Sequence, residues 1–120
     1  HRASEAGHAD TQRWAAMLDD RTRRLARVTQ KIWAAGDPAR TLANATPYLE
    51  AFGHIVLAWI WLEQSLAASA HYRRADSDFY HGKWQACRYF FLYELPKVDP
   101  MFDLVESLDD TTLEMQDAWF

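Results

Sequence analysis

Hydrophobic positions recur at helical intervals along the whole chain. Trp14, Leu18, Leu25, Val28 and Ile32 follow one another at steps of three, four and seven, with Arg, Asp and Lys between them. That spacing lays one apolar stripe along a helix whose remaining surface is charged. The stripe stops at "AAGDPA". Gly36 suits the left-handed residue just past a helix end, Asp37 is a good N-cap, and Pro38 fits the first turn of a new helix. A helix, a short turn and a second helix are predicted here, an arrangement that makes antiparallel neighbours.

The second helical pattern is interrupted at Thr46-Pro47, where proline disfavours the helical conformation of the residue before it. A kink, or a restart capped by Thr46, is expected. Beyond it Leu49, Phe52, Val56, Trp59, Ile60 and Leu66 mark a broad apolar face. The sequence around Trp59 is apolar nearly all round, which predicts the central and most buried helix. "SAHYRRADSD" reads as a loop, with Asp76 or Ser77 capping a third helix. That helix carries Tyr80, Trp84, Cys87, Phe91 and Leu95 on one stripe, and Phe79, Ala86, Phe90 and Tyr93 on another. Pro96 and Pro100 are expected to break it, and "MFDLVESL" to continue as a fourth short helix.

The chain ends in "TTLEMQDAWF". Thr111 and Glu114 fit a Thr-x-x-Glu capping box, so a last helix is expected near Thr112. On it Met115 and Trp119 would lie to one side and Leu113 and Phe120 to the other. So short a helix is not stable alone in water. It is therefore expected to dock through Leu113, Met115, Trp119 and Phe120 into a groove of its own bundle or of a larger protein. The fold class follows: all-α, an antiparallel bundle of about four helices plus a short C-terminal docking helix. Residues 1–12 are expected to be a linker or a disordered start, and 13–120 the domain.

Composition narrows the function classes. A chain of 120 residues with 49% apolar content is one globular domain. Its net charge of −4 argues against a nucleic-acid footprint. The basic run "RTRRLAR" (Arg21, Arg23, Arg24, Arg27) keeps helical spacing and reads as a solvated face. The run "IVLAWIWL" falls well short of the roughly 18–20 residues that span a bilayer. The first residue is His1 and not Met, and a longer parent chain is expected.

Candidate chemistry is sparse. Glu50 with His54 and Asp78 with His81 can each share a helix face, but a di-iron bundle needs Glu-x-x-His on each of two helices and two further carboxylates. No metal site is expected; His54 reads as a hydrogen-bonded core histidine and His81 as a surface or interface residue. The single Cys87 excludes an internal disulfide and reads as a small buried hydrophobe. No Gly-x-Ser-x-Gly elbow or phosphate-cradling Gly-rich loop is present. Asp109 and Asp110 read as helix capping. Catalytic and cofactor-binding residues are expected to be none.

Two long blocks nevertheless carry a resemblance. In "NATPYLEAFGHIVLAWIWLEQSLAA" the residues are Tyr48, Leu49, Phe52, Gly53 and His54. In the block from Phe79 to Phe120 they are Phe79, Tyr80 and Lys83, then Arg88-Tyr89-Phe90-Phe91, then Asp109, Asp110, Leu113, Met115 and the closing Trp119-Phe120. From about Arg13 to its end the chain resembles the C-terminal helical extension of the large acyl-CoA dehydrogenases, common in bacteria. The resemblance implies a cytoplasmic parent flavoprotein that desaturates an acyl-CoA between C2 and C3. A carboxylate base removes the α-proton while FAD accepts the β-hydride. It places the catalytic Glu and the flavin contacts in the preceding core, and it implies packing of the extension against that core and a second subunit. The alternative is a free-standing helical interaction or oligomerisation module; a small-ligand bundle is a third reading.

Overall fold

The computed structural model describes residues 2–69 and 77–120, which are helical segments with short turns within each stretch. Helix α1 (Arg2–Ala34) is followed by α2 (Pro38–Leu42), α3 (Ala45–Ser69) and α4 (Ser77–Tyr89). A π-helical turn (Phe90–Glu94) and a 3-10 turn (Leu95–Lys97) lead into α5 (Val98–Glu106). The one-turn α6 (Thr111–Glu114) and a last 3-10 turn (Asp117–Trp119) close the chain. Helix α1 includes residues 2–12, expected as linker. The cap expected at Asp76 or Ser77 lies outside the residues whose side chains are described.

The α1–α2 turn forms as its sequence dictates. Gly36 takes φ +72°, which costs glycine nothing. Asp37 accepts a hydrogen bond from the Ala39 amide at 3.1 Å, and Pro38 opens α2. Helix α2 is only five residues long because α3 restarts at Ala45, two positions before Pro47. Pro47 then sits in the first turn, where no intrahelical N–H is needed, so it does not kink α3.

Helix α3 packs against α1, α4 and α5, and α1 also packs against α5. Trp14, Val28, Phe91, Leu95, Val98 and Phe102 belong to one buried core. Trp14 lies 5.5 Å from Trp84 and 5.7 Å from Phe91, centroid to centroid. Tyr48 Oη in α3 and Thr29 Oγ1 meet at 2.7 Å, and Thr41 Oγ1 in α2 donates to the Ile32 carbonyl at 2.6 Å, tying both helices to the end of α1.

Proline shapes the third pass differently from expectation. The Leu95 amide bonds to the Phe90 carbonyl, one residue wider than an α-turn. The wide turn followed by a tight one absorbs Pro96, which would otherwise press on the carbonyl four residues back. Pro100 lies inside the first turn of α5 and breaks nothing.

The basic run is not simply solvated. Arg21 bonds Asp99 at 3.1 Å, Arg24 reaches Asp103 and Glu106, and Lys31 reaches Glu106 at 3.5 Å. Arg24 also lies over the Phe102 ring, 5.4 Å from its centroid. These partners rise together along both helices, so α1 and α5 run the same way. Arg23 pairs only within its own helix among the described residues, with Asp19 one turn back.

Candidate interaction surface

Helix α3 has two apolar faces, and the structure buries the one with the smaller side chains. Ala51, Ile55, Ala58, Leu62 and Ser65 recur at three and four and face the bundle. Small residues let neighbouring helices come close, so this stripe sets the packing. Leu49, Phe52, Val56, Trp59, Ile60 and Leu66, expected to be buried, are all exposed, by 38% to 64%. They fall within about 120° around the helix axis. The expectation of a most-buried helix is therefore corrected: α3 is central in its contacts yet presents its bulkiest face to solvent. The bundle extends 64 × 30 × 16 Å, too thin to wrap a helix on every side. Gly53 borders this exposed face, and a Cβ built there would meet nothing within 4 Å.

The π-turn creates a second exposed patch. It turns Phe90 and Phe91 inward and leaves Tyr89, Leu92 and Tyr93 outside, the two tyrosine rings stacked at 4.7 Å. Tyr93 and Phe79, read as members of an inner stripe, are thus exposed, whereas Cys87, Phe91 and Leu95 are buried.

The tail is anchored at its root and free beyond it. Asn44, buried at the start of α3, donates from Nδ2 to the Asp109 carbonyl at 2.9 Å. Arg40 pairs with Asp110 at 3.3 Å, and Thr112 Oγ1 donates to the Ala43 carbonyl at 3.1 Å. The Asp109 carboxylate accepts from the Thr111 amide at 3.1 Å, the capping role its position suggested. Thr111 falls inside α6 and does not cap it; Asp110 holds the N-cap position without a side-chain hydrogen bond, and Asp109 beside it satisfies the Thr111 amide. The expected helix is cut to one turn because Met115 leaves it with ψ 135°. The helical faces predicted for Met115 with Trp119, and for Leu113 with Phe120, do not form. All four side chains are exposed, Phe120 by 94%. Among the described residues nothing covers them.

Among the described residues, no three of His, Cys, Asp or Glu come together as metal ligands. His54 is half-buried, its Nδ1 3.0 Å from the Glu50 carbonyl and its ring beside Phe90. His81 is exposed and leans on Trp84. Cys87 is fully buried, and burial pushes its thiol up to about 11, against a smaller opposing effect of the Ser65 hydroxyl. A thiol held protonated in this way is inert at neutral pH. An open depression of about 290 Å³ lies between the end of α3 and the start of α4, lined by Gln64, Ala67, Ala68, Phe79, Tyr80 and Lys83. Lys83 Nζ sits 5.1 Å from the Phe79 ring centroid.

The family model described as "acetyl-CoA dehydrogenase C-terminal like" matches residues 2–116. The chain belongs to this family. No curated protein and no solved structure gives a significant match. In this acetyl-CoA dehydrogenase C-terminal-like domain, the resemblance residues divide between inside and outside. Phe90 and Phe91 pack inward, Tyr48 lies against the core, and Leu49, Phe52, Phe79 and Tyr89 face outward. The match stops short of Trp119 and Phe120. No described helix of the domain is long and apolar enough to cross a membrane.

Sequence reasoning missed the exposed face of α3 as a surface. The signal was present: a stripe of Ala51, Ala58, Ser65 and Ala68 at helical spacing competes with the bulky face for the inside.

Proposed function

We propose that this chain is the C-terminal structural and interaction domain of an FAD-dependent acyl-CoA dehydrogenase, a cytoplasmic enzyme of the fatty-acid β-oxidation type. The observation that carries the reading is the family match over residues 2–116 in a domain whose α3 face and tail are apolar and exposed. The domain serves the enzyme by packing, against the dehydrogenase core of the same chain and against a second subunit. Leu113, Met115, Trp119 and Phe120 dock the tail onto that larger body. The core supplies the acyl-CoA site, the carboxylate base that removes the α-proton, and the FAD that accepts the β-hydride.

The residues present do not fit a flavin site. Among the described residues the depression beside Lys83 offers one cation, already seated on an aromatic ring, and the sequence has no Gly-rich turn that would bring backbone amides to a pyrophosphate. FAD therefore belongs to the core in this reading, and no step of the reaction is drawn through this domain.

Hydrogen exchange tests the reading. Residues 115–118, beyond the anchored turn, should exchange at unstructured rates in the 120-residue chain and be protected in the full-length enzyme. Equal, fast exchange in both would sink the docking role. A free-standing interaction module draws on the same exposed α3 face, and differs in that its partner is not a dehydrogenase core.

A further inference from the structure

Lys83 stands in a setting unusual for a lysine, whose ammonium ordinarily reaches into water or against a carboxylate. Its side chain is partly buried, and among the described residues its contact is the Phe79 ring, 5.1 Å from Nζ to the centroid. A ring quadrupole attracts a cation without cancelling its charge. The ammonium therefore stays a positive charge without a counter-ion, on the wall of the depression of about 290 Å³ between α3 and α4. The packing explains why space is left there. Ala67 and Ala68, at the end of α3, bring only methyl groups to face the first turns of α4. Ala68 is buried and makes a floor, while Phe79, 61% exposed and set edge-on to Tyr80 at 5.3 Å, forms a wall. Gln64, one turn before Ala68, contributes an exposed side-chain amide. None of the lining residues is acidic.

We infer that this depression is a binding site for a small carboxylate with an apolar body. The carboxylate meets the Lys83 ammonium, with the Gln64 amide as a second donor, and the body rests on Ala67, Ala68 and Phe79. Charge decides the headgroup. One ammonium matches one negative charge, whereas a phosphate dianion on the same lining is left half neutralised. Size decides the body. A space of about 290 Å³ lies at the lower limit of ligand pockets, so it suits a single ring or a short alkyl chain. The inference stands or falls independently of the dehydrogenase reading, since it concerns the 120-residue chain, which has its own core.

Benzoate is the probe, followed through the amide NMR shifts of the 120-residue chain at constant ionic strength. Saturable shifts should centre on Ala67, Ala68 and Lys83, with a dissociation constant on the order of 1 mM for so small a ligand. Benzyl alcohol keeps the ring without the charge, and inorganic phosphate keeps charge without the ring; each should bind about tenfold more weakly or worse. Lys83→Met keeps an apolar stem and removes the ammonium, and should weaken benzoate about tenfold. Ala67→Leu keeps the charge and fills the space; Ala67 is exposed, so the fold is retained while benzoate binding falls about tenfold. No saturable shift at these residues by about 20 mM benzoate overturns the inference. So does equal affinity for benzyl alcohol or phosphate, or unchanged benzoate binding in either folded variant.

Discussion

Asn44 and Asp109 are joined across sixty-five positions by a 2.9 Å hydrogen bond from a buried amide to a backbone carbonyl. This contact fixes where the tail leaves the bundle, beside the start of α3. Asn44→Ala should lower unfolding stability by about 1–2 kcal/mol, because a half-buried carbonyl loses its donor. Denaturant titration measures this, and amide exchange at 109–112 should accelerate. An unchanged midpoint and unchanged exchange would mean the root is held by other contacts.

Trp14 is the keystone between α1 and the third pass, 2% exposed and in contact with Trp84 and Phe91. Trp14→Ala should cost about 3–5 kcal/mol, the range for removing a large aromatic from a packed core. The urea midpoint should fall while the slope stays constant.

Arg24 links α1 to α5 through Asp103, Glu106 and the Phe102 ring. A double-mutant cycle of Arg24→Ala with Asp103→Ala should return a coupling of about 0.5–1 kcal/mol that shrinks as salt is raised. These groups are partly exposed, so a larger, salt-independent coupling would contradict the solvated geometry.

Cys87 should stay unmodified by a thiol reagent at pH 8 in the folded chain and react at once when unfolded. Its folded thiol titrates at about 11, above its ordinary 9.0, so the folded state holds the proton more tightly. That contribution to stability is complete below about pH 9 and is lost as pH rises toward about 11. Cys87→Ala should flatten this alkaline loss.

The helical class and the α1–α2 turn were legible because local rules govern them: the period around Trp14, and the triplet Gly36, Asp37, Pro38. What escaped was the choice between two usable faces of α3. Periodicity ranks faces by bulk, whereas the bundle chose the Ala51–Ala58–Ser65 stripe, along which its neighbours come close. The tail was half legible. Asp109 satisfies the Thr111 amide at the start of α6, but Met115, Trp119 and Phe120 beyond Glu114 stay exposed, so nothing among the described residues holds that run helical. Arg21 and Arg24 read as solvated because their partners, Asp99 and Asp103, lie more than seventy residues away.

Trp119 is 61% exposed, so Trp119→Ala should change the stability of the 120-residue chain by less than about 0.5 kcal/mol. In the full-length enzyme the same change should lower stability by about 1.5–3 kcal/mol, the value of a buried large side chain. Equal, small effects in both would remove Trp119 from the docking surface.

The central claim is that this domain works as part of a flavin-dependent dehydrogenase. Intact mass and visible absorbance of the protein purified from its native cells test it together. The account predicts one polypeptide much heavier than 14.0 kDa, carrying a dehydrogenase core before this domain and an oxidised-flavin spectrum. A colourless protein of 14.0 kDa would contradict it.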